Sequence, residues 1–249
     1  MKKQNKDSMH VFYRYSDSSN VKGSNPTRPP GFDKRKILLD FLKVFDGHAV
    51  HIIADNVNDE SATWLKSLGF DVEVTSIGTG DGSCLYAVQK AISMCKPSDL
   101  VYLVEDDYVH LPGSPSIIEH GLSLADYVTL YDHPDKYKDG YNPYIKDNGE
   151  VSLVRQTPDG THWKFTNSTT ETFGARVSAL VRDLHLFNAI LGDAKTLHAQ
   201  QQSPDFVLWL NILQKCKLAS CMPGYASHLH IPWVTVSPAI EEYIKKILN

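Results

Sequence analysis

The sequence predicts an α/β protein with a mixed, mostly parallel central sheet flanked by helices. Two observations carry this. Short apolar runs alternate with amphipathic stretches through the first half of the chain, and residues 100–104 form an apolar run without a polar interruption. A strand covered on both faces reads as a continuous apolar run, and strand–helix alternation lays helices over both faces of a parallel sheet. In open sheets of this kind ligands sit beyond the carboxyl ends of the strands.

The elements follow in order. Residues 10–15 read as a strand, 37–45 as a helix, 49–54 as a strand, and 61–68 as a helix that stops at Gly69. A strand at 72–75 leads into the glycine-rich turn Gly78-Thr79-Gly80-Asp81-Gly82, and a helix then runs from Ser83 to about Met94. The second half reads differently. A strand at 127–131 is followed by a polar, tyrosine-rich loop over 132–144. Strands near 151–155 and 162–165 flank Thr157-Pro158-Asp159-Gly160, a hairpin signal. Residues 172–176 read as a further strand and 178–190 and 204–213 as helices. Ser203-Pro204-Asp205 is a helix start, with Ser as the cap, Pro at the first position and an acid in the first turn. A short charged helix ends the chain.

Bulk properties narrow the function. With 249 residues, 42% hydrophobic and 22% charged, the composition is that of a folded domain with ample core. No repeat or linker is visible, so the chain reads as one domain over 1–249, with two halves of different character at about 8–110 and about 111–249. A net charge of −4 makes nucleic acid a poor partner. No apolar run is long enough for a transmembrane helix, and the basic start MKKQNKDSMH has no apolar stretch of a secretory signal after it. Cys84, Cys95, Cys216 and Cys221 lack CxxC pairing; they read as reduced thiols of a cytoplasmic protein, with no structural zinc site expected.

The chemistry concentrates where the apolar run 100–104 gives way to Glu105-Asp106-Asp107. Clustered carboxylates raise one another's pKa, and a divalent cation removes that cost. Mn²⁺ or Mg²⁺ held by few carboxylates, with phosphate oxygens completing the shell, is suited to binding a diphosphate and stabilising it as a leaving group. A solvated loop whose acids cap a helix is the competing reading.

An apolar strand ending in acid-x-acid, here Glu105-x-Asp107, resembles the DxD motif of GT-A glycosyltransferases. The block Glu105-Asp106-Asp107-Tyr108, the segment 124–137, His162-Trp163, Ser168-Thr169-Thr170 with Thr172-Phe173, and Ala226-Ser227-His228 together resemble a bacterial and viral group of GT-A proteins. The resemblance spans the first strand to about Trp233. It departs from the motif in having glutamate at the first acid position, which favours Asp107 as the direct metal ligand and leaves Glu105 an indirect or water-mediated role.

The resemblance implies a metal-dependent transfer of a sugar from a nucleoside diphosphate, with UDP favoured, to a saccharide hydroxyl, with inversion. It places Tyr13, Arg14, Tyr15 and Ser16 at the base and ribose, with Asp55, Gly80 and Ser83 along the nucleotide pocket and Asp106 at the ribose or a nearby backbone group. Asp55 is otherwise a turn residue. His228 joins Asp107 and Glu105 at the metal, a neutral imidazole suiting Mn²⁺ better than Mg²⁺; a hydrogen-bonded surface histidine is the alternative, and His230 is a weaker candidate. Asp205 is the base that takes the acceptor proton, or simply an acid in a first helical turn, with Glu171 and Asp183 as fallbacks. Trp163 either stacks on a sugar or lies buried under the hairpin. Ser168, Thr169 and Thr170 bond donor hydroxyls or phosphate, or shape a loop. Arg155 and Lys164 could neutralise phosphate, and Trp64, Trp209 and Trp233 pack. A sugar nucleotidyltransferase is the alternative enzyme, although the segment around Gly23 and Arg28 is a poor version of its basic glycine-rich loop. A Ca²⁺-dependent carbohydrate-binding module is the non-enzyme alternative.

Overall fold

A computed structural model describes residues 9–17, 27–137, 140–146, 149–232, 234 and 237–249. Nine strands form one sheet in the order β3-β2-β1-β4-β9-β6-β10-β8-β7. Its parallel half is β3 (Asp71–Thr75), β2 (Ala49–Asp55), β1 (His10–Tyr15) and β4 (Leu100–Glu105). Beyond β4, β9 (Phe173–Arg176) is antiparallel to β4 and β6 (Tyr127–Thr129), and β8 (His162–Phe165) is antiparallel to β10 (Leu218–Met222) and β7 (Val154–Gln156). Only β9 and β8 therefore run against the common direction, and the fold is the mixed, mostly parallel α/β sheet that the sequence predicts.

The strands of the parallel half divide their side chains between two cores. On β1, Val11, Tyr13 and Tyr15 enter a core with Leu38 and Phe41 of helix α1 (Lys34–Val44). Phe12 joins the opposite core with Cys84, Ala87 and Val88 of helix α3 (Gly80–Met94) and Leu180 and Phe187 of helix α5 (Val177–Leu191). Capping fixes the helix starts. Asp33 accepts from the N–H groups of Arg35 and Lys36 on α1, and Asn58 accepts from that of Ser61 on α2 (Asp59–Ser67). Helix α3 starts at Gly80, earlier than the expected Ser83, because Thr79 caps it by accepting from the Gly82 N–H.

Several elements depart from the sequence reading. A two-stranded ribbon, β5 (Tyr108–His110) with β11 (Ala226–His228), and helices α4 (Ser114–Gly121) and α6 (Ala194–Ala199) have no counterpart in it. Central strand β10 was not expected either: its sequence Leu-Ala-Ser-Cys-Met carries no β-branched residue. The hairpin at 157–160 forms, with Gly160 at φ +89° and its N–H donating to the Thr157 carbonyl. Helix α7 (Pro204–Ile212) also starts as expected, yet Ser203 does not cap through its side chain; its hydroxyl donates to Asp205 instead. Helix α8 (Pro238–Leu248) packs on α1. Among the described residues, no helix is long and apolar enough to cross a membrane.

Candidate active site

The strand order turns at β1. The chain passes from β1 to β2 on one side and later returns to β4 on the other, so a crevice opens at the carboxyl ends of β1 and β4. This reversal is where open α/β sheets bind ligands. Register puts Arg14 beside Glu105, so the ends of these two strands supply both the cation and the acids.

The three acids take three different sets of partners. Glu105 accepts from the Thr172 hydroxyl at 3.0 Å and faces Arg14 at 3.8 Å. Asp106 accepts from the Ser16 N–H at 2.7 Å and from Lys34 Nζ at 2.9 Å, and Lys34 also donates to the Ser16 carbonyl. Asp106 thus clasps the end of β1 to the start of α1. Asp107 Oδ2 accepts from Arg28 at 2.7 Å and lies 3.1 Å from His228 Nε2, while its Oδ1 is buried without a hydrogen-bond partner.

The β5–β11 ribbon delivers His228. His228 registers opposite Tyr108, the Leu229 N–H donates to the Asp107 carbonyl at 2.8 Å, and the His228 ring stacks on Tyr108 at 4.8 Å. Residues 121 positions apart are thereby fixed side by side. Burial acts to raise the Asp107 carboxyl, but the charges and hydrogen bonds of His228 and Arg28 outweigh it and hold Asp107 below the ordinary carboxylate range. Burial likewise acts to lower His228, and Asp107 reverses it, so His228 is raised. Glu105 and Asp106 are raised, by burial first, against the opposing charges of Arg14 and Lys34.

A second acid stands behind Arg14. Arg14 donates to Glu171 Oε2 at 2.9 Å and to the Gly80 carbonyl at 2.9 Å, joining β1, α3 and the segment before β9. Glu171 is raised to about 8, by burial first and then by the charges of Glu105, Asp81 and Asp205, with Arg14 opposing. Asp205 lies in the first turn of α7. Asp205 is itself raised, by burial first. It accepts from the Ser203 hydroxyl and the Phe206 N–H.

The remaining expected site residues lie elsewhere or are already committed. Tyr13 is fully enclosed against Phe41 and does not line the crevice, because odd-numbered side chains of β1 face the α1 core. Tyr15 packs beside Trp64 in the same core. Asp55 accepts from the Thr75 hydroxyl and the N–H groups of Ile77 and Gly78 at 2.6–3.0 Å, so its carboxylate organises the β3–α3 loop rather than the turn at 55–59 that the sequence suggests. Ser83 is buried within α3. Trp163 is 1% exposed, donates to Thr157, and packs so closely on Gly121 that a Cβ there would fall 2.4 Å from its ring; it lies under the hairpin and offers no face to a sugar. Ser168 accepts from Lys136, Thr169 bonds Thr129, and Thr170 bonds Tyr108, which fastens this loop to the sheet. Lys164 is paired with Asp132 and Glu150. Asp183 accepts from the Tyr127 hydroxyl and Arg182 on α5. Gly23 and Trp233 lie outside the described residues.

Arg28, Lys34 and Thr172 are the residues that sequence reasoning missed. Arg28 sits in the segment read as an imperfect basic loop, which was the one available signal. Lys34 precedes the expected helix at 37–45 and carries no signal of its own, and Thr172 reads as the start of a strand and as part of the resemblance, with no role of its own.

The residues present fit a divalent cation with two protein ligands. The Asp107 Oδ1, which has no partner among the described residues, is an oxygen donor that a cation would satisfy; His228 Nε2 lies against the other oxygen, Oδ2, and would give up its proton to join as a ligand. Waters and phosphate oxygens would complete the shell, as Mg²⁺ and Mn²⁺ sites commonly arrange. Among the described residues, Glu105 does not join Asp107 and His228 within common ligand distance.

No protein-family model and no curated protein matches the chain. Solved structures do align with it. S. aureus TarS 1-349 is 10% identical over 96% of this chain and 64% of that one, with a TM-score of 0.48, so the chain spans under two thirds of its length. The glycosyltransferase GlyE of Streptococcus pneumoniae TIGR4 is 8% identical over 86% of this chain and 45% of that one, at 0.48. The inositol-1-phosphate CTP transferase from T. maritima is 12% identical over 97% and 96%, at 0.49. At these scores the fold rests on the strand order itself, and the site rests on its own geometry.

Proposed function

We propose that the chain is a metal-dependent GT-A glycosyltransferase that moves a sugar from a nucleoside diphosphate, UDP first, to a saccharide hydroxyl. The observation that carries this reading is Asp107: a buried carboxylate at the sheet's switch point, charged, with one oxygen lacking a partner and His228 beside it. Asp107 and His228 would hold Mn²⁺ or Mg²⁺, which supplies charge neutralisation for a departing diphosphate. Arg28 adds a fixed positive charge at the same carboxylate. Asp106 and Lys34 hold the end of β1 in place as one wall of the nucleotide site. Asp205 takes the acceptor proton; its raised pKa brings it nearer the working pH of a general base. Glu171, also raised by burial, is tied to Arg14 and is the poorer base of the two. A panel of nucleotide sugars assayed for Mn²⁺-dependent hydrolysis tests the reading, with Asp107→Ala as the inactive control. Equal turnover in that variant would sink it.

One observation favours a second reading. Two basic side chains that follow β1, Arg28 and Lys34, reach the acids at the crevice. Basic groups after the first strand are what a sugar nucleotidyltransferase needs for a triphosphate. Release of pyrophosphate from CTP or UTP with a sugar phosphate, without hydrolysis of any nucleotide sugar, selects that reading.

A further inference from the structure

The opposite, amino-terminal end of the parallel strands carries a separate cluster. Among the described residues, His10, Cys95 and Asp99 form the one group of three whose ligand atoms all lie within 4.8 Å of one another. Three elements supply them: His10 opens β1, Cys95 ends α3, and Asp99 precedes β4. Five residue steps along β1 separate His10 from the crevice, about 16 Å at roughly 3.3 Å per residue. The site is therefore distinct from the Asp107 centre and independent of the function proposed above.

The surroundings prepare these side chains as ligands. His51 Nδ1 lies 2.8 Å from Asp71 Oδ2, and His51 Nε2 lies 3.2 Å from His10 Nδ1, with the two rings nearly parallel. A carboxylate only accepts, so His51 Nδ1 donates to Asp71 and its Nε2 faces His10 Nδ1. In the tautomer where His51 Nε2 accepts, His10 donates from Nδ1 and keeps a lone pair on its Nε2 for a metal. A metal-binding histidine whose other N–H is held by a fixed acceptor is the common arrangement around protein metals. One oxygen of Asp99, Oδ2, is held by the Lys96 N–H at 2.8 Å, and the Asp99 carbonyl accepts from the Val177 N–H, so the carboxylate is anchored with Oδ1 to spare.

We infer that His10, Cys95 and Asp99 form a Zn²⁺ site, with His51 and Asp71 orienting His10. Imidazole, thiolate and carboxylate together suit Zn²⁺ and disfavour Mg²⁺. Three protein ligands leave the fourth tetrahedral position for water. Metal binding expels one proton from the Cys95 thiol to bulk water as the Zn–S bond forms. The ligands are scattered as His10…Cys95…Asp99, which is why a search for CxxC spacing passes over them.

Cobalt tests this on the full chain. Metal-stripped protein is titrated with Co²⁺ and followed for the thiolate-to-cobalt charge-transfer band in the near ultraviolet, then back-titrated with Zn²⁺. The wild type shows the band and loses it to Zn²⁺. Cys95→Ser abolishes it, whereas Cys216→Ser and Asp107→Ala keep it, since a cation at Asp107 and His228 has no sulfur ligand. His51→Asn keeps the band but weakens Co²⁺ binding about 10–100-fold. His10→Gln also removes the band, so a folding failure of one variant leaves the other to decide. A wild type without the band, or a band that survives Cys95→Ser, overturns the assignment.

Discussion

Asp55 and Asp107 lie at the carboxyl ends of two strands of one sheet, and the structure treats them in opposite ways. Asp55 closes β2 and is saturated: both oxygens accept from the end of β3 and the loop after it, from Thr75, Ile77 and Gly78. Asp107 follows β4, shares one oxygen between Arg28 and His228, and leaves the other buried with no partner. An acid that the fold satisfies completely is a structural strut. An acid that the fold charges, buries and leaves incomplete is built for something else, because an unsatisfied buried polar atom costs about 1–3 kcal/mol. From sequence alone both are acids after a strand.

The contrast breaks if the two acids respond alike to mutation. The largest expected effect is on activity: Asp107→Ala lowers metal-dependent turnover by at least about 100-fold, and urea unfolding shows a smaller change. Trp163 belongs with the satisfied class, its ring covered and its N–H bonded to Thr157. Trp163→Ala should therefore cost about 3–5 kcal/mol of stability and leave the KM for the donor near wild type. A KM change without a stability loss would return Trp163 to the sugar site. Asp55→Ala should cost about 1–3 kcal/mol by leaving loop N–H groups without acceptors, measured by urea unfolding, and affect turnover only through the displaced loop.

A further effect is a pH slope. Glu171 binds its proton up to about 8 when folded, against an ordinary value of 4.5. Between those values the folded state holds more protons than the unfolded state, so stability falls as pH rises through that window, by at most about 1.4 kcal/mol per unit. Glu171→Gln, which mimics the protonated form, should flatten the slope between pH 5 and 8. An unchanged slope would place Glu171 among ordinary surface acids.

How far the sequence could be read follows the same physics. The parallel half was legible because its strands are continuous apolar runs and its helices have clear periodicity; β1 and β4 emerge almost to the residue. In the second half β10 hides in small residues, and β5 and β11 are three-residue strands whose pairing depends on partners more than a hundred positions away. Residue type suffices to single out Asp107 and His228, and the ribbon brings the two side by side. Chemistry was not legible where pleat decides. Alternation on β1 turns Tyr13 and Tyr15 into the α1 core and sends Arg14 to Glu171. Nor does sequence reveal that Arg28, 79 positions from Asp107, is its hydrogen-bond partner.

The most direct test of the Asp107 centre is calorimetric titration of the wild-type chain and Asp107→Ala with UDP, each with and without Mn²⁺. The account predicts binding to the wild type that requires Mn²⁺ and is lost in the variant. Binding of UDP that is equally tight without metal, or unchanged in Asp107→Ala, would contradict it.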